Sequence, residues 1–324
     1  MNRRDFLTRI AASGTALGSV GLAAAELAQG PRPGGANRGQ GHAARYSGND
    51  KLHRVAISSW SFHKYFQATR DKDFKLAGEM LALLDFPEMI AQRYDVHTLE
   101  MVAPHFASTE PAYLQELKSK LALAHSHLVN IPVDIKEIRN EGGLSDAKAE
   151  VRQGAIEASK KWIDIAKTLG ARSVRCDPGK INPDDLSPTI DSYRKLAAYG
   201  KSKGICVIIE NHGGVGSEHP EELVKIFKGV GGEFIGALPD FGNFPDEKTR
   251  QHGLPVLFPY ARTVCHAKGL EFDANGNETK FNFQKCVEIA KQAGYKGVYS
   301  IEYEGPGDPY QGVQMVVAEL VRYL

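Results

Sequence analysis

From residue 52 onward, short runs of apolar and β-branched residues alternate with longer stretches whose apolar positions recur every three or four residues. The short runs read as strands at 54–62, 96–102, 126–133, 171–177, 204–210, 234–240, 262–269 and 297–305. Between them, segments such as 145–169, 187–203, 219–229 and 282–293 have the one-sided pattern of amphipathic helices. Gly170, Gly204 and Gly294 follow such segments, where glycine supplies the left-handed residue that ends a helix. Strand–helix alternation implies a parallel sheet. Eight such units in 51–324 predict one α/β domain, a (β/α)8 (TIM) barrel. An open doubly wound sheet is the alternative, but no G-x-G-x-x-G follows the first strand to support a dinucleotide version.

The fifth run poses a chemical question. It reads "GICVIIENHGG", so an apolar strand ends in Glu210, Asn211 and His212 before two glycines. A buried carboxylate needs a partner, a metal or a shifted pKa. In a barrel the C-terminal strand ends share one mouth. Strands five to eight carry Glu210, Asp240, His266 and Glu302 there. Three carboxylates and one imidazole form a mainly hard donor set that suits one divalent ion, Mn²⁺ first, with Mg²⁺, Co²⁺ or Zn²⁺ as alternatives. Such an ion would offset the desolvation of Glu210.

Other polar positions have two readings each. Trp60 is an apolar wall for a substrate ring or part of the core. Glu100 binds a substrate hydroxyl or forms a salt bridge. Arg175 contacts substrate or pairs with Asp177. His212 lies beside the metal or on the substrate, and Lys268 binds an oxygen-rich substrate or is solvated.

The segments "IIENHGG", "LPDFGN", "VCHAKG" and "SIEYEG" resemble the four metal-ligand motifs of the xylose isomerase-like TIM-barrel superfamily, the sugar isomerase/epimerase group. The resemblance spans residues from about 52 to the end and carries Glu210, Asp240, His266 and Glu302 over as ligands. Glu210 and Glu302, from strands five and eight, should flank a substrate on opposite sides and form the catalytic pair. In ketose 3-epimerases of the group a substrate-binding His follows the strand-six Asp by three residues. Here Asn243 holds that place, and Lys268 is the cation nearest to where those enzymes place an Arg.

The chemistry expected is proton removal next to a carbonyl, with an enediolate intermediate. Return of the proton gives a sugar epimerase or isomerase. Loss of a β leaving group gives a lyase or dehydratase on a keto-sugar, keto-glycoside or cyclitol. A non-catalytic sugar-binding barrel is the third reading. Composition narrows the partners. Lys+Arg numbers 40 and Asp+Glu 39, so no charge surplus points to nucleic acid. A small sugar is the expected partner, and a homo-oligomer is left open. The four cysteines lack CxxC spacing and are expected as buried thiols.

The first thirty residues carry Arg3 and Arg4, then Phe6 and Leu7, then an Ala- and Gly-rich apolar run with an A-x-A site at Ala23 and Ala25. They resemble a twin-arginine export signal, which predicts a periplasmic or otherwise exported protein without a membrane anchor after cleavage. Residues 31–50 are Gly-, Pro- and Arg-rich and read as a disordered linker. Export weakens the case for sugar phosphates, and export of a folded chain suits Mn²⁺, which would lose to Zn²⁺ if loaded outside.

Overall fold

The computed structural model describes residues 50–71, 79–139 and 142–324. The expected export signal, and all of the expected linker except Asp50, lie outside the described residues.

Eight parallel strands form one sheet: β1 Val55–Ser58, β2 Thr98–Glu100, β3 His127–Pro132, β4 Ser173–Arg175, β5 Cys206–Glu210, β6 Ile235–Leu238, β7 Val264–Gly269 and β8 Val298–Tyr303. β1 pairs with both β2 and β8, so the sheet curls, running from β6 through β1 to β7. The seam between β6 and β7 is closed by isolated parallel bridges, Ala237 to Ala261 and Asp240 to His266. Two of the expected ligands thus form the closing bridge, where His266 N–H donates to Pro239 O at 2.9 Å. The expected (β/α)8 barrel is the observed fold.

Each strand is followed by a helix: α1 Phe86–Tyr94, α2 Pro111–Leu123, α3 Ala149–Leu169, α4 Ser187–Lys203, α5 Pro220–Val230, α6 Glu247–Leu257, α7 Phe283–Gln292 and α8 Pro309–Tyr323. α3 shows why they form. Ile156, Ser159, Trp162, Ile163, Ala166 and Leu169 are buried at helical spacing, and Gly170 ends the helix at φ 78°. The run at 54–62 is strand only as far as Ser58. Ser58 Oγ then accepts from Trp60 N–H at 3.2 Å and turns the chain into a 3₁₀ helix at Ser59–Tyr65.

The main core lies between strands and helices, and β5 shows how its strand pattern arises. Val207 and Ile209 belong to that core, whereas Cys206 and Ile208 pack inside the barrel with Leu238 and Val264. Side chains alternate along a strand, so Glu210 shares the inward face with Cys206 and Ile208. A strand buried on both faces therefore reads as a continuous apolar run until its inward side reaches the polar layer. Cys176, Cys206, Cys265 and Cys286 are buried free thiols. Among the described residues no helix is long and apolar enough to cross a membrane.

Candidate active site

Glu210 on β5, Asp240 just after β6, His266 on β7 and Glu302 on β8 present ligand atoms that all lie within 4.8 Å of one another, and all four residues are buried. His266 Nδ1 is 3.0 Å from Glu210 Oε1, 3.3 Å from Asp240 Oδ2 and 3.4 Å from Glu302 Oε2. Asn211 fixes Asp240 from below: its Nδ2 donates to Asp240 O at 3.1 Å, and its Oδ1 accepts from Asp240 N–H at 2.8 Å. Asp240 Oδ1 accepts from the N–H groups of Gly242 and Asn243 at 2.6 and 2.8 Å. Asp240 Oδ2 is buried and receives no well-aligned hydrogen bond, although His266 Nδ1 and Lys268 Nζ lie at ion-pair distance. A buried carboxylate oxygen without an aligned donor, facing two further carboxylates and an imidazole, is a fitting place for a divalent cation.

The charge around it supports the same fit. Glu100, Asp134, Asp177, Glu210, Asp240, Glu302 and Glu304 form ion pairs within this network, whose permanent cations are Arg175 and Lys268. The two histidines, His212 and His266, supply the rest. Lys268 and Glu302 are cross-strand partners in the β7–β8 register, so their side chains meet and pair. Lys268 Nζ also lies 3.2 Å from Asp240 Oδ2 and 3.0 Å from Glu304 Oε2.

These neighbours set the two glutamates apart. Burial alone would push Glu210 up, but Arg175, His266 and His212 outweigh it and hold its carboxyl well below the ordinary range. Burial also pushes Glu302 up, and Glu210 and Glu304 add to it. His266 and Lys268 offset only part, leaving it at about 7. Burial disfavours a charged His266, yet Glu302, Glu100 and Glu210 raise it well above the usual imidazole value. A bound divalent ion would lower both Glu302 and His266. His212 is raised to about 9, first by Glu210, against the opposing effect of burial. Its Nδ1–H then donates to Asp177 Oδ2 at 2.7 Å, facing the Arg175 guanidinium unfavourably.

The flanking residues divide by what they touch. Arg175 is buried and pairs with Asp177, Glu210 and Asp134, so it holds carboxylates rather than presenting a free guanidinium. Asn243 Nδ2 donates to Glu210 Oε1 at 2.9 Å, placing it on a candidate ligand. Trp60 is half-buried, stacks on His63 at 4.8 Å between centroids, and donates Nε1–H to Glu304. Glu100, read as a substrate contact or a salt bridge, makes the second kind of contact here. It is fully buried, and accepts from Asn130 Nδ2 at 2.8 Å, from His266 Nε2 at 3.0 Å and from Ser300 Oγ at 3.3 Å. With Nε2–H held by Glu100, His266 turns its Nδ1 toward the other three residues, and loss of the Nδ1 proton would leave a lone pair there for a cation. The line continues through Asn130 Oδ1 to Ser173 Oγ at 2.8 Å and on to Thr263 Oγ1 at 2.6 Å. Asn211, Asp134 and the role of Glu304 escape sequence reading. The signal for Asn211 was its place between Glu210 and His212, which on a strand end turns it toward the neighbouring strand.

An open cleft of about 1290 Å³ adjoins the cluster without surrounding it. Among the four candidate ligands, Glu210 alone lines it, with Asp177 and His212 beside it.

The model of the xylose isomerase-like TIM barrel family matches residues 90–320. The chain belongs to that family. Among curated proteins no sequence matches it. Similar solved structures include a xylose isomerase-like TIM barrel protein from Mycobacterium smegmatis in complex with magnesium, at 17% identity and TM-score 0.57, covering 83% of this chain and 96% of that one. A D-psicose 3-epimerase from Clostridium cellulolyticum H10 has 14% identity and TM-score 0.60, covering 83% and 96%. A 3-keto-D-glucoside 4-epimerase from E. coli has 13% identity and TM-score 0.62, covering 84% and 99%. At these identities the likeness carries the fold.

Proposed function

We propose that the protein is a divalent-metal-dependent sugar epimerase or isomerase in which Glu210 and Glu302 exchange a proton with the carbon next to a carbonyl. The observation that carries this reading is the convergence of Glu210, Asp240, His266 and Glu302 from four consecutive strand ends, with ligand atoms within 4.8 Å. The epimerase relatives named above support the substrate class. A cation held by these four residues would supply Lewis acidity to the substrate's carbonyl. Mn²⁺ remains the first choice, on the hard donor set and on the proposed export of the folded chain.

The chain's own residues supply the rest. Glu210 is held ionised by Arg175 and oriented by Asn243, so it can accept a proton. Glu302 stands at about 7 without the ion, which would lower it, so in the loaded protein it too acts from the carboxylate and takes or returns the proton. Glu210 and Glu302 come from β5 and β8, which lets them serve opposite sides of the reacting carbon. Lys268 sits against Glu302 and Glu304, where its fixed charge favours negative charge developing on a substrate oxygen. Trp60, tied to Glu304, offers a flat apolar face beside them.

The test is reconstitution. Protein stripped with a chelator is reloaded with Mn²⁺, Mg²⁺, Co²⁺ or Zn²⁺ and incubated with D-fructose, D-psicose, D-tagatose and 3-keto-glucosides, and products are read by NMR. Turnover should return with one equivalent of ion. Full turnover in the stripped protein contradicts the proposal.

A further inference from the structure

The cleft beside Glu210 exceeds what a single sugar ring needs. Its volume of about 1290 Å³ lies above the roughly 300–1,000 Å³ of pockets that enclose drug-sized ligands. A monosaccharide bound at the four-residue cluster would reach only its Glu210 end, because Asp240, His266 and Glu302 do not line it.

The walls are preformed. The loop after β4 rests on the turn at Gly142: Gly179 has φ +76°, and a side chain there would meet Gly142 O at 2.3 Å. Thr189 Oγ1, on α4, donates to Ser145 Oγ at 2.9 Å and ties the two walls together. Tyr193 Oη–H donates to Cys176 O at 2.5 Å and anchors the start of the loop.

The lining indicates the occupant. Pro178, Ile181, Pro183 and Val215 present apolar surface. Among charged groups, Asp146, Asp177, Asp185 and Glu210 outnumber Lys180 and His212, so the wall has no surplus positive charge for a phosphate or a sugar acid. Apolar patches interleaved with polar groups suit the faces of an uncharged ring.

We infer that this cleft is a subsite for an uncharged second ring joined to the reacting sugar through a glycosidic bond. The inference rests on the sugar epimerase reading and sharpens its substrate. A sugar whose anomeric carbon is tied up in a glycosidic bond has no open-chain carbonyl, so the carbonyl that acidifies its α-hydrogen must be a ring ketone. The substrate class is therefore a keto-glycoside, and the reaction that supplies it is the oxidation of a ring hydroxyl of a glycoside. The second ring is either another sugar or an aromatic aglycone, since both offer an uncharged flat face.

The test uses the metal-loaded protein and four probes: 3-keto-glucose, methyl 3-keto-β-glucoside, phenyl 3-keto-β-glucoside and 3-keto-cellobiose. Solvent deuterium uptake next to the ketone gives kcat/KM for each. At least a tenfold rise from the free and methyl sugars to one of the two-ring probes is expected, and which probe rises tells sugar from aryl aglycone. Asn182→Trp, and independently Val215→Trp, should lower the two-ring to one-ring ratio at least tenfold, with metal content reporting on folding. Equal or greater kcat/KM for the free sugar overturns the inference while leaving the epimerase reading intact. If no probe exchanges, calorimetry with the same probes decides the cleft, and turnover on the ketose panel above decides the epimerase reading separately. Tighter binding of the two-ring probes then sustains the subsite, and equal or absent binding overturns it.

Discussion

Replacing Glu100 by Gln isolates the buried support of the site. The change keeps the side chain's size and removes one charge. Glu100 accepts from His266 Nε2, Asn130 Nδ2 and Ser300 Oγ and is fully buried. A carboxylate can accept all three, whereas a Gln amide has one oxygen and turns two N–H donors toward groups that are donors already. At least one buried donor loses its partner, a loss of about 1–3 kcal/mol. For a barrel of this size that lowers the melting temperature by roughly 2–6 °C. The effect on the metal is the more specific. His266 loses the acceptor that fixes its tautomer, and disruption of such a partner typically weakens metal affinity about 10- to 100-fold. Competition against a chelating dye measures Mn²⁺ affinity, and a thermal melt of the metal-free protein measures stability separately. A melting temperature that falls while Mn²⁺ affinity stays within about twofold of the unaltered protein refutes the tautomer argument, because a purely structural Glu100 predicts just that split.

Four further outcomes follow from the same geometry. His266→Ala should reduce bound metal sharply on elemental analysis and remove the rise in melting temperature that metal gives, since three buried carboxylates lose a neighbour and the ion loses a ligand. Glu302→Gln should keep a substantial share of the metal but lower turnover by about 10²- to 10⁴-fold, so near-normal turnover would leave Glu302 as a ligand only. Metal uptake should release protons: Glu302 stands at about 7 and His266 above its usual value, both are protonated at low pH, and the ion requires them deprotonated, so affinity rises with pH through neutrality. Calorimetry in buffers of different ionisation heat checks this, and an affinity independent of pH between about 6 and 8 contradicts it. Changing Arg3 and Arg4 to Lys should hold the precursor in the cytoplasm, and fractionation that finds it still exported disposes of the twin-arginine reading.

The architecture was legible because a barrel strand repeats one simple pattern. β5 is apolar outward toward the helices and apolar inward at the bottom, so only its last residues reveal what the mouth contains. That made Glu210, Asp240, His266 and Glu302 readable as a set. Their surroundings were less so. Glu100 ends its strand like the others, yet the β2–β3 register shifts between Leu99 and Glu100, and its carboxylate lies in a buried line with Asn130 and His266. Such a slip leaves no mark in the pattern. Arg175 reads as a substrate contact or as a partner of Asp177, and it does pair with Asp177, but its second partner Asp134, from beyond the end of β3, was not legible, because partners brought together by strand order are far apart in sequence. The turn at Ser58 was missed for the opposite reason: a local side-chain cap ended a strand whose apolar pattern ran on to Phe62.

Deuterium exchange tests the central claim most directly. The metal-loaded protein is incubated in D₂O with a reacting keto-sugar, and recovered substrate and product are read by mass spectrometry and NMR. Proton exchange through Glu210 and Glu302 predicts solvent deuterium at the carbon next to the carbonyl, lost on chelation and strongly slowed in Glu302→Gln. Turnover without solvent deuterium would mean that the substrate's own hydrogen migrates, and it would contradict the two-glutamate account even with the metal site confirmed.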